Sequence, residues 1–244
     1  MKKILFLIIV SCLLTFCSSD SSSSSASDES ILLKKIIREN ENGITTINTY
    51  VYEGRKITTS SFSTYLQKFY YSGNLVTKVE SYNSGQLMSV FTFEYNSSEK
   101  LVQYKLVSPD IGRSERDTYV YNNDNTISVN HYTAIDDDNE TLQTQKYFTD
   151  SSGEIIKIER YSANSTATTL YTYDTKNNPF KNVIGFDKLL NIVGQGIKHN
   201  TLTTHETAFD GVINQNEKVI TYNTQDYPLN MQFEGSNTIE HYYY

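Results

Sequence analysis

The sequence predicts an all-β protein built as an antiparallel meander of short hairpins, and three observations predict it. The chain holds 20 Tyr and 11 Phe among its 244 residues. These aromatics alternate with β-branched and polar residues in short runs, the period-two pattern of a half-buried strand. Between the runs lie clusters of Asn, Asp, Ser and Gly, which supply the positive φ of tight turns.

The chain opens on a different kind of segment. Met1-Lys2-Lys3 is basic, and Ile4 to Val10 is an unbroken apolar run that continues through Leu13, Leu14 and Phe16. This is the composition of a secretory leader, too short for a membrane helix, which needs ~20 apolar residues. The run ends at Leu14-Thr15-Phe16-Cys17, followed at once by serines, and this looks like a lipobox with Cys17 as the acylated residue. Cys12 is preceded by a small residue, but it leaves a shorter apolar core and no polar segment behind it, so Cys17 is preferred. Acyl chains contribute ~0.8 kcal/mol per buried methylene, and two or more anchor stably. The expected division is residues 1–16 as leader, 17–30 as lipidated cysteine and serine-rich tether, and 31–244 as a single domain. The tether cannot bury apolar surface and reaches roughly 20 Å as a random coil.

Both cysteines lie in the leader or at its junction, so the folded part has no disulfide and no cysteine metal site to rely on. The formal charge is −7, and it falls further when Lys2 and Lys3 leave with the leader. Nucleic acid and anionic lipid are therefore not expected partners, because both demand clustered Lys and Arg.

From residue 31 the organising feature is a repeat in which an aromatic-x-Tyr pair precedes a polar turn and then an apolar strand. Ile31–Arg38 reads as the first strand, and Asn42-Gly43 turns it into Ile44–Tyr52. Copies follow at Tyr50-Val51-Tyr52, Phe69-Tyr70-Tyr71 leading to Leu75, and Phe93-Glu94-Tyr95 leading to Leu101. Tyr119-Val120-Tyr121 leads to Ile127, the variant Tyr147-Phe148 to Ile155, and then come Tyr171-Thr172-Tyr173-Asp174 and Ile220-Thr221-Tyr222 leading to Leu229. Spacings of about 19 to 28 residues make one unit one hairpin. A gap of twice that length precedes the last copy. Within it, in Asn182–Ile197, Phe186, Leu189, Leu190 and Val193 recur at helical spacing and Gly194 and Gly196 end the pattern. A short helix near 183–193 is expected there, plugging or capping one end of the sheet.

This pattern resembles the tyrosine-aspartate repeats of bacterial shell and teneurin-like proteins. It more closely resembles a family of Bacteroidetes lipoproteins of unknown function built from such hairpins, over nearly all of the mature chain including Asn178-Pro179-Phe180-Lys181-Asn182. Only Tyr171-Thr172-Tyr173-Asp174 keeps the aspartate, and the arginine, strict glycine and terminal protease segment of the toxin shells are missing. The resemblance implies a long antiparallel sheet, strongly curved or closed into a barrel-like form, with no catalytic residues to carry over.

No motif for catalysis, metal or cofactor stands out. His131, His199, His205 and His241 are scattered and lack zinc-protease spacing. The run Asp136-Asp137-Asp138-Asn139-Glu140 lacks the alternation and glycine of a calcium loop and reads as a solvated turn. Glu80, Glu94 and Glu159 sit in strands beside Lys78 and Arg160, which reads as cross-strand charge pairing rather than a glycosidase pair. Exposed tyrosine offers an apolar face and a hydroxyl to a glycan or protein. Tyr70, Tyr82, Tyr104, Tyr132 and Tyr161 are the expected outward aromatics, whereas most Tyr-x-Tyr pairs face the core.

Three function classes follow. The preferred one is a non-enzymatic binding or scaffold lipoprotein of the outer membrane, on its periplasmic face or at the cell surface, with a glycan or envelope protein docking on the curved sheet or its edges. The second is a polysaccharide-acting enzyme, which requires carboxylates clustered in a cleft. The third is an integral outer-membrane barrel, suggested by the terminal Tyr242-Tyr243-Tyr244 but opposed by Lys and Glu on both strand faces, as in Leu75–Glu80.

Overall fold

A computed structural model describes residues 31–43, 45–135, 140–190 and 198–244. The leader, Cys17 and the tether lie outside the described residues. Sixteen strands form in sequence order, beginning with β1 (Lys35–Glu39), β2 (Thr45–Glu53), β3 (Lys56–Phe62), β4 (Tyr65–Ser72) and β5 (Leu75–Asn83). They continue with β6 (Gln86–Tyr95), β7 (Leu101–Ser108), β8 (Arg113–Tyr121), β9 (Thr126–Ile135), β10 (Thr141–Thr149) and β11 (Ile155–Tyr161). The last five are β12 (Thr166–Tyr173), β13 (Thr201–Thr207), β14 (Ile213–Tyr222), β15 (Pro228–Phe233) and β16 (Ile239–Tyr243).

Each strand pairs antiparallel with its neighbours in sequence, and β1 pairs with β16, Ile36 opposite Tyr242 and Arg38 opposite Glu240, so the meander closes into a barrel. The first hairpin is the one that Asn42-Gly43 predicts, with Gly43 at φ +71° and its N–H on the Asn40 carbonyl at 2.9 Å. Closure corrects one expectation. With the ring of pairs complete, there is no exposed sheet edge among the described residues on which a partner could add a strand.

The repeat acquires its physical meaning at one end of the barrel, where even-numbered strands finish and odd-numbered strands begin. The register shifts immediately before the last tyrosine of a unit, at Val51/Tyr52, Tyr70/Tyr71, Glu94/Tyr95, Thr172/Tyr173 and Thr221/Tyr222. Tyr52 pairs with Ile57 while Val51 pairs with Thr59, so Thr58 is the extra residue of a β-bulge, and Thr77 and Val102 repeat the device in β5 and β7. A bulge bends the strand and increases its twist, and repeating it around one end curls the sheet toward closure. The last tyrosine of a unit donates its hydroxyl back to a carbonyl at the start of the preceding strand: Tyr52 to Leu33 (2.6 Å), Tyr95 to Val76 (2.8 Å), Tyr173 to Ile155 (2.6 Å) and, where no bulge intervenes, Tyr121 to Leu101 (3.0 Å). Burial raises all four hydroxyls above the ordinary tyrosine range, Tyr121 to about 12, so they remain donors at any physiological pH.

The long connection between β12 and β13 closes this end. Ile184 donates its N–H to the Arg55 carbonyl at 3.0 Å, Asn177 to Asp226 at 2.9 Å and Asn178 to Lys198 at 2.9 Å, tying the segment to the turns and to its own return. Gly185 is required here. Its φ is +84°, and a Cβ would stand 2.7 Å from the Asn74 carbonyl oxygen. The plug expected in this stretch is present, but the helix is corrected to a single 3-10 turn, Phe186–Lys188, among the described residues. The apolar residues that spaced like a helix are buried by the barrel wall instead: Phe186, Leu189 and Leu190 pack with Val183 against Ile57 and Val76. Residues 191–197 lie outside the described residues.

Candidate functional site in the barrel lumen

The inner wall is layered along the barrel axis. At the closed end the first inward side chains of the odd strands, Ile57, Val76, Leu101, Ile127 and Ile155, are buried, with Leu33 just before β1. Burying such side chains fully contributes about 1.5–3 kcal/mol each. The plug caps them from the lumen side.

Above the plug, between β1 and β6, lies a cavity of about 560 Å³. Its floor is apolar, formed by Ile57, Phe69, Phe93, Phe180, Phe186 and Leu189. Phe180 stacks on Phe186 with centroids 5.4 Å apart, and Tyr50 meets the Phe180 ring edge-on at 5.4 Å. Around mid-height runs a belt of small polar groups. Tyr50 pairs with Ser60, Ser60 with Gln67 and Gln67 with Ser81, and the Ser60 hydroxyl donates to Gln67 Oε1 at 2.9 Å. At the top Phe62 stacks on Tyr65 (6.4 Å, 20° between planes), and Tyr65 is 46% exposed where the cavity reaches the open end. Arg38 lines the same level, and its guanidinium is committed to the buried Glu240 carboxylate. The volume falls within the 300–1,000 Å³ of ordinary small-molecule sites, and an apolar bowl with a few placed polar groups is their usual composition.

The wall continues from the cavity into a polar sector. Tyr104 packs on Phe91 and Phe93 (6.3 and 5.8 Å) and stands opposite Asp117, which in turn stands opposite His131. His131 Nδ1 is 2.6 Å from Asp117 Oδ1, and the Tyr119 hydroxyl donates to Oδ2 at 3.1 Å. The bond to Asp117 outweighs partial burial and raises the pKa of His131. Arg113 pairs with Glu115, and Arg160 lies 3.7 Å from Glu206, so each lumen arginine has an acid beside it. At the opposite, closed end, Glu154 is 1% exposed and accepts the backbone N–H groups of Lys198 (2.7 Å) and His199 (2.9 Å), which is a structural clamp on the returning chain.

Of the five tyrosines expected to face outward, four do and one does not. Tyr70, 38% exposed, and Tyr82 both donate to Glu80 Oε2, at 2.6 and 2.8 Å, while Lys78 binds Glu80 Oε1 at 2.7 Å and lies over the Tyr70 ring at 4.0 Å. The Lys78 ammonium, with these hydroxyls, pulls the Glu80 carboxyl down to about 2. Lys157, Glu159 and Tyr161 repeat the arrangement on β11: Tyr161 donates to Glu159 at 2.6 Å, and Lys157 sits 4.0 Å over Phe148. Tyr132 faces out beneath the Arg116 guanidinium at 3.9 Å. Tyr104 is the correction. It is 9% exposed and points into the lumen, because the Val102 bulge shifts the alternation that begins at Leu101.

The acidic strand residues also sort themselves. Glu80 and Glu159 are ion-paired within their own strands, two residues from Lys78 and Lys157, rather than across strands, and Glu94 accepts from Gln103 at 2.8 Å. Arg160 is on the other face, in the lumen. Of the acidic run 136–140, only Glu140 lies among the described residues, paired with Arg116 at 2.7 Å. His199 lies 3.5 Å from Glu154, and His241 bonds Asn230 at 2.7 Å.

No family model matches the chain, and no curated protein does. Among solved structures the chain is similar to a porin-like protein from Bacteroides uniformis, with a TM-score of 0.48 and 11% sequence identity over 86% of this chain and 95% of that one.

Proposed function

We propose that this protein is a non-enzymatic binding module, held at the outer membrane through Cys17, whose barrel takes one small amphipathic molecule into its lumen. The observation that carries the reading is the cavity of about 560 Å³, with phenyl rings at its floor, serine and glutamine at its belt and an opening beside Tyr65. A molecule entering apolar end first leaves its polar end at the mouth. The polar sector with His131 and Asp117 serves the wall, and no nucleophile is placed against it among the described contacts.

The outer wall supports a barrel that faces water. Its strands carry Lys68, Lys78, Lys105, Arg116, Lys146 and Lys157 on the outward face, each next to an inward aromatic or apolar neighbour or opposite an outward partner. A lipid-facing band tolerates a midplane lysine or arginine only at ~2–4 kcal/mol each. β1 begins at the closed end, so the tether joins there and the mouth faces away from the attachment point.

Titration of the mature domain with the neutral, environment-sensitive fluorophore N-phenyl-1-naphthylamine tests the reading. Saturable one-to-one binding is expected, and Ser81→Trp, which fills the cavity at its belt, is expected to abolish it in a variant that keeps its β-sheet circular dichroism. Binding that survives Ser81→Trp, or no binding to the wild type, removes the lumen as the site. Cys17→Ala is expected to release the protein into the soluble fraction of cells, and retention through an alkaline wash overturns the anchor.

A further inference from the structure

Resting on the lumen-binding reading, we infer that the ligand carries one negative charge, an apolar body with a carboxylate-type head that pairs with Lys218 near the mouth. Four strand cations face the lumen among the described residues: Arg38, Arg113, Arg160 and Lys218. Each arginine has an acid beside it, Glu240, Glu115 and Glu206 in turn. Lys218 has none. It shares the inner face of β14 with Ile220 and stands opposite Phe233, the last residue of β15, with its ammonium 5.5 Å from that ring. Lys218 is partly buried, and burial lowers the pKa of its ammonium while Glu240 pulls it back up. A cation drawn out of water without a counter-charge is costly, and folded chains rarely keep one. An anionic head removes that cost on binding.

Glu240 is not the missing partner. One of its oxygens accepts from Arg38, the other from the Tyr242 hydroxyl at 2.8 Å, and no ion pair joins it to Lys218. Arg38, Glu240 and Lys218 therefore sum to one positive charge, which a monoanion neutralises and a dianion overshoots. The space beneath Lys218, bounded by Thr201, Ile220, Met231 and Tyr242, is about 20 Å³, room for a water and too small for a carboxylate. The head must come from the lumen side. There Asn216 and Thr204 stand opposite one another on the inner face of β14 and β13, and both offer donors to a carboxylate. The aromatic cavity is near enough to hold the body. Arg38 lines its upper level, and β14 is three strands further along the wall, roughly 14 Å at about 4.8 Å per strand, a span that the lysine side chain and the ligand share.

The experiment displaces bound N-phenyl-1-naphthylamine from the mature domain with three ligands of one chain length that differ in head group: decanoate, decanol and decyltrimethylammonium. Decanoate is expected to bind about 10-fold tighter than decanol, and the cation weakest. Lys218→Met is expected to bring decanoate down to decanol, and Lys218→Arg to keep most of the preference. Without ligand, Lys218→Met is expected to unfold at no lower urea concentration than the wild type, because it loses no internal partner. An earlier midpoint would show that Lys218 is paired within the protein, and overturns the inference. So does decanoate that binds no tighter than decanol, or a preference that survives Lys218→Met; in either case a fluorophore that still binds keeps the lumen as a site. If the fluorophore itself does not bind, the lumen reading fails and takes this inference with it.

Discussion

The closed and open ends of the barrel use the same strands to opposite purposes. At the closed end the same devices recur from unit to unit: a bulge in most, a tyrosine hydroxyl on the carbonyl of the preceding strand, and a buried apolar residue near the start of the next one. At the open end the connections differ in length and composition, apolar residues such as Ile111, Ile135 and Val212 are exposed, and the inward side chains mix the Arg113–Glu115 pair with Phe62. The contrast teaches that the repeat is a closure device. Stability concentrates where the strands are pinned, and the other end is free to be shaped as a mouth.

Substitutions that compare the two ends test this directly. The largest difference is expected from truncating apolar side chains. Leu101→Ala removes a fully buried side chain from the closed-end ring and is expected to cost about 2–5 kcal/mol, whereas Ile135→Ala, at 60% exposure, is expected to change stability by less than about 0.5 kcal/mol. Urea unfolding of both variants measures it, and equal losses would mean that closure is not concentrated at one end. A smaller contrast is expected from single hydroxyls. Tyr121→Phe leaves the Leu101 carbonyl without its partner and is expected to cost about 1 kcal/mol, while Tyr82→Phe on the outer wall is expected to cost close to nothing, because Glu80 keeps Lys78 and Tyr70.

The smallest effect expected is one of pH. His131 gains a carboxylate partner on folding, so its folded pKa is raised, and the stability it contributes is complete below its unfolded pKa of about 6.5 and lost as pH rises through the folded value. Nuclear magnetic resonance titration should place His131 above the ordinary histidine range, and Asp117→Asn should return it there. An unshifted His131 in the wild type would show that the pair does not form in solution. The closed-end tyrosines, in contrast, should not titrate below strongly alkaline pH.

Much of this was legible in the residues. The hairpin unit, the Asn42-Gly43 turn and the plug between the sixth and last copies follow from turn chemistry, alternation and the doubled spacing. The facing of individual side chains was not legible wherever a bulge intervenes. Counting by twos from Leu101 sends Tyr104 outward, but the buried positions fall three apart at Val76 and Val79, Leu101 and Tyr104, and Ile155 and Ile158. The same cause moves the buried residue of the last hairpin to Pro228, with Leu229 exposed at the bulge. The helical spacing of Phe186, Leu189 and Leu190 misled for a related reason. A segment surrounded by a barrel wall buries apolar residues in several directions, so their spacing reports the enclosure rather than a helix.

The sequence by itself determined that the chain is a run of tyrosine-rich hairpins without cysteines in its body, because aromatic alternation and turn residues act within a few positions of each other. Only the tertiary structure decided that the run closes and that its lumen retains an aromatic cavity. Those properties depend on the register between β1 and β16, which are joined by hydrogen bonds between residues some two hundred positions apart, and no local pattern reaches that far.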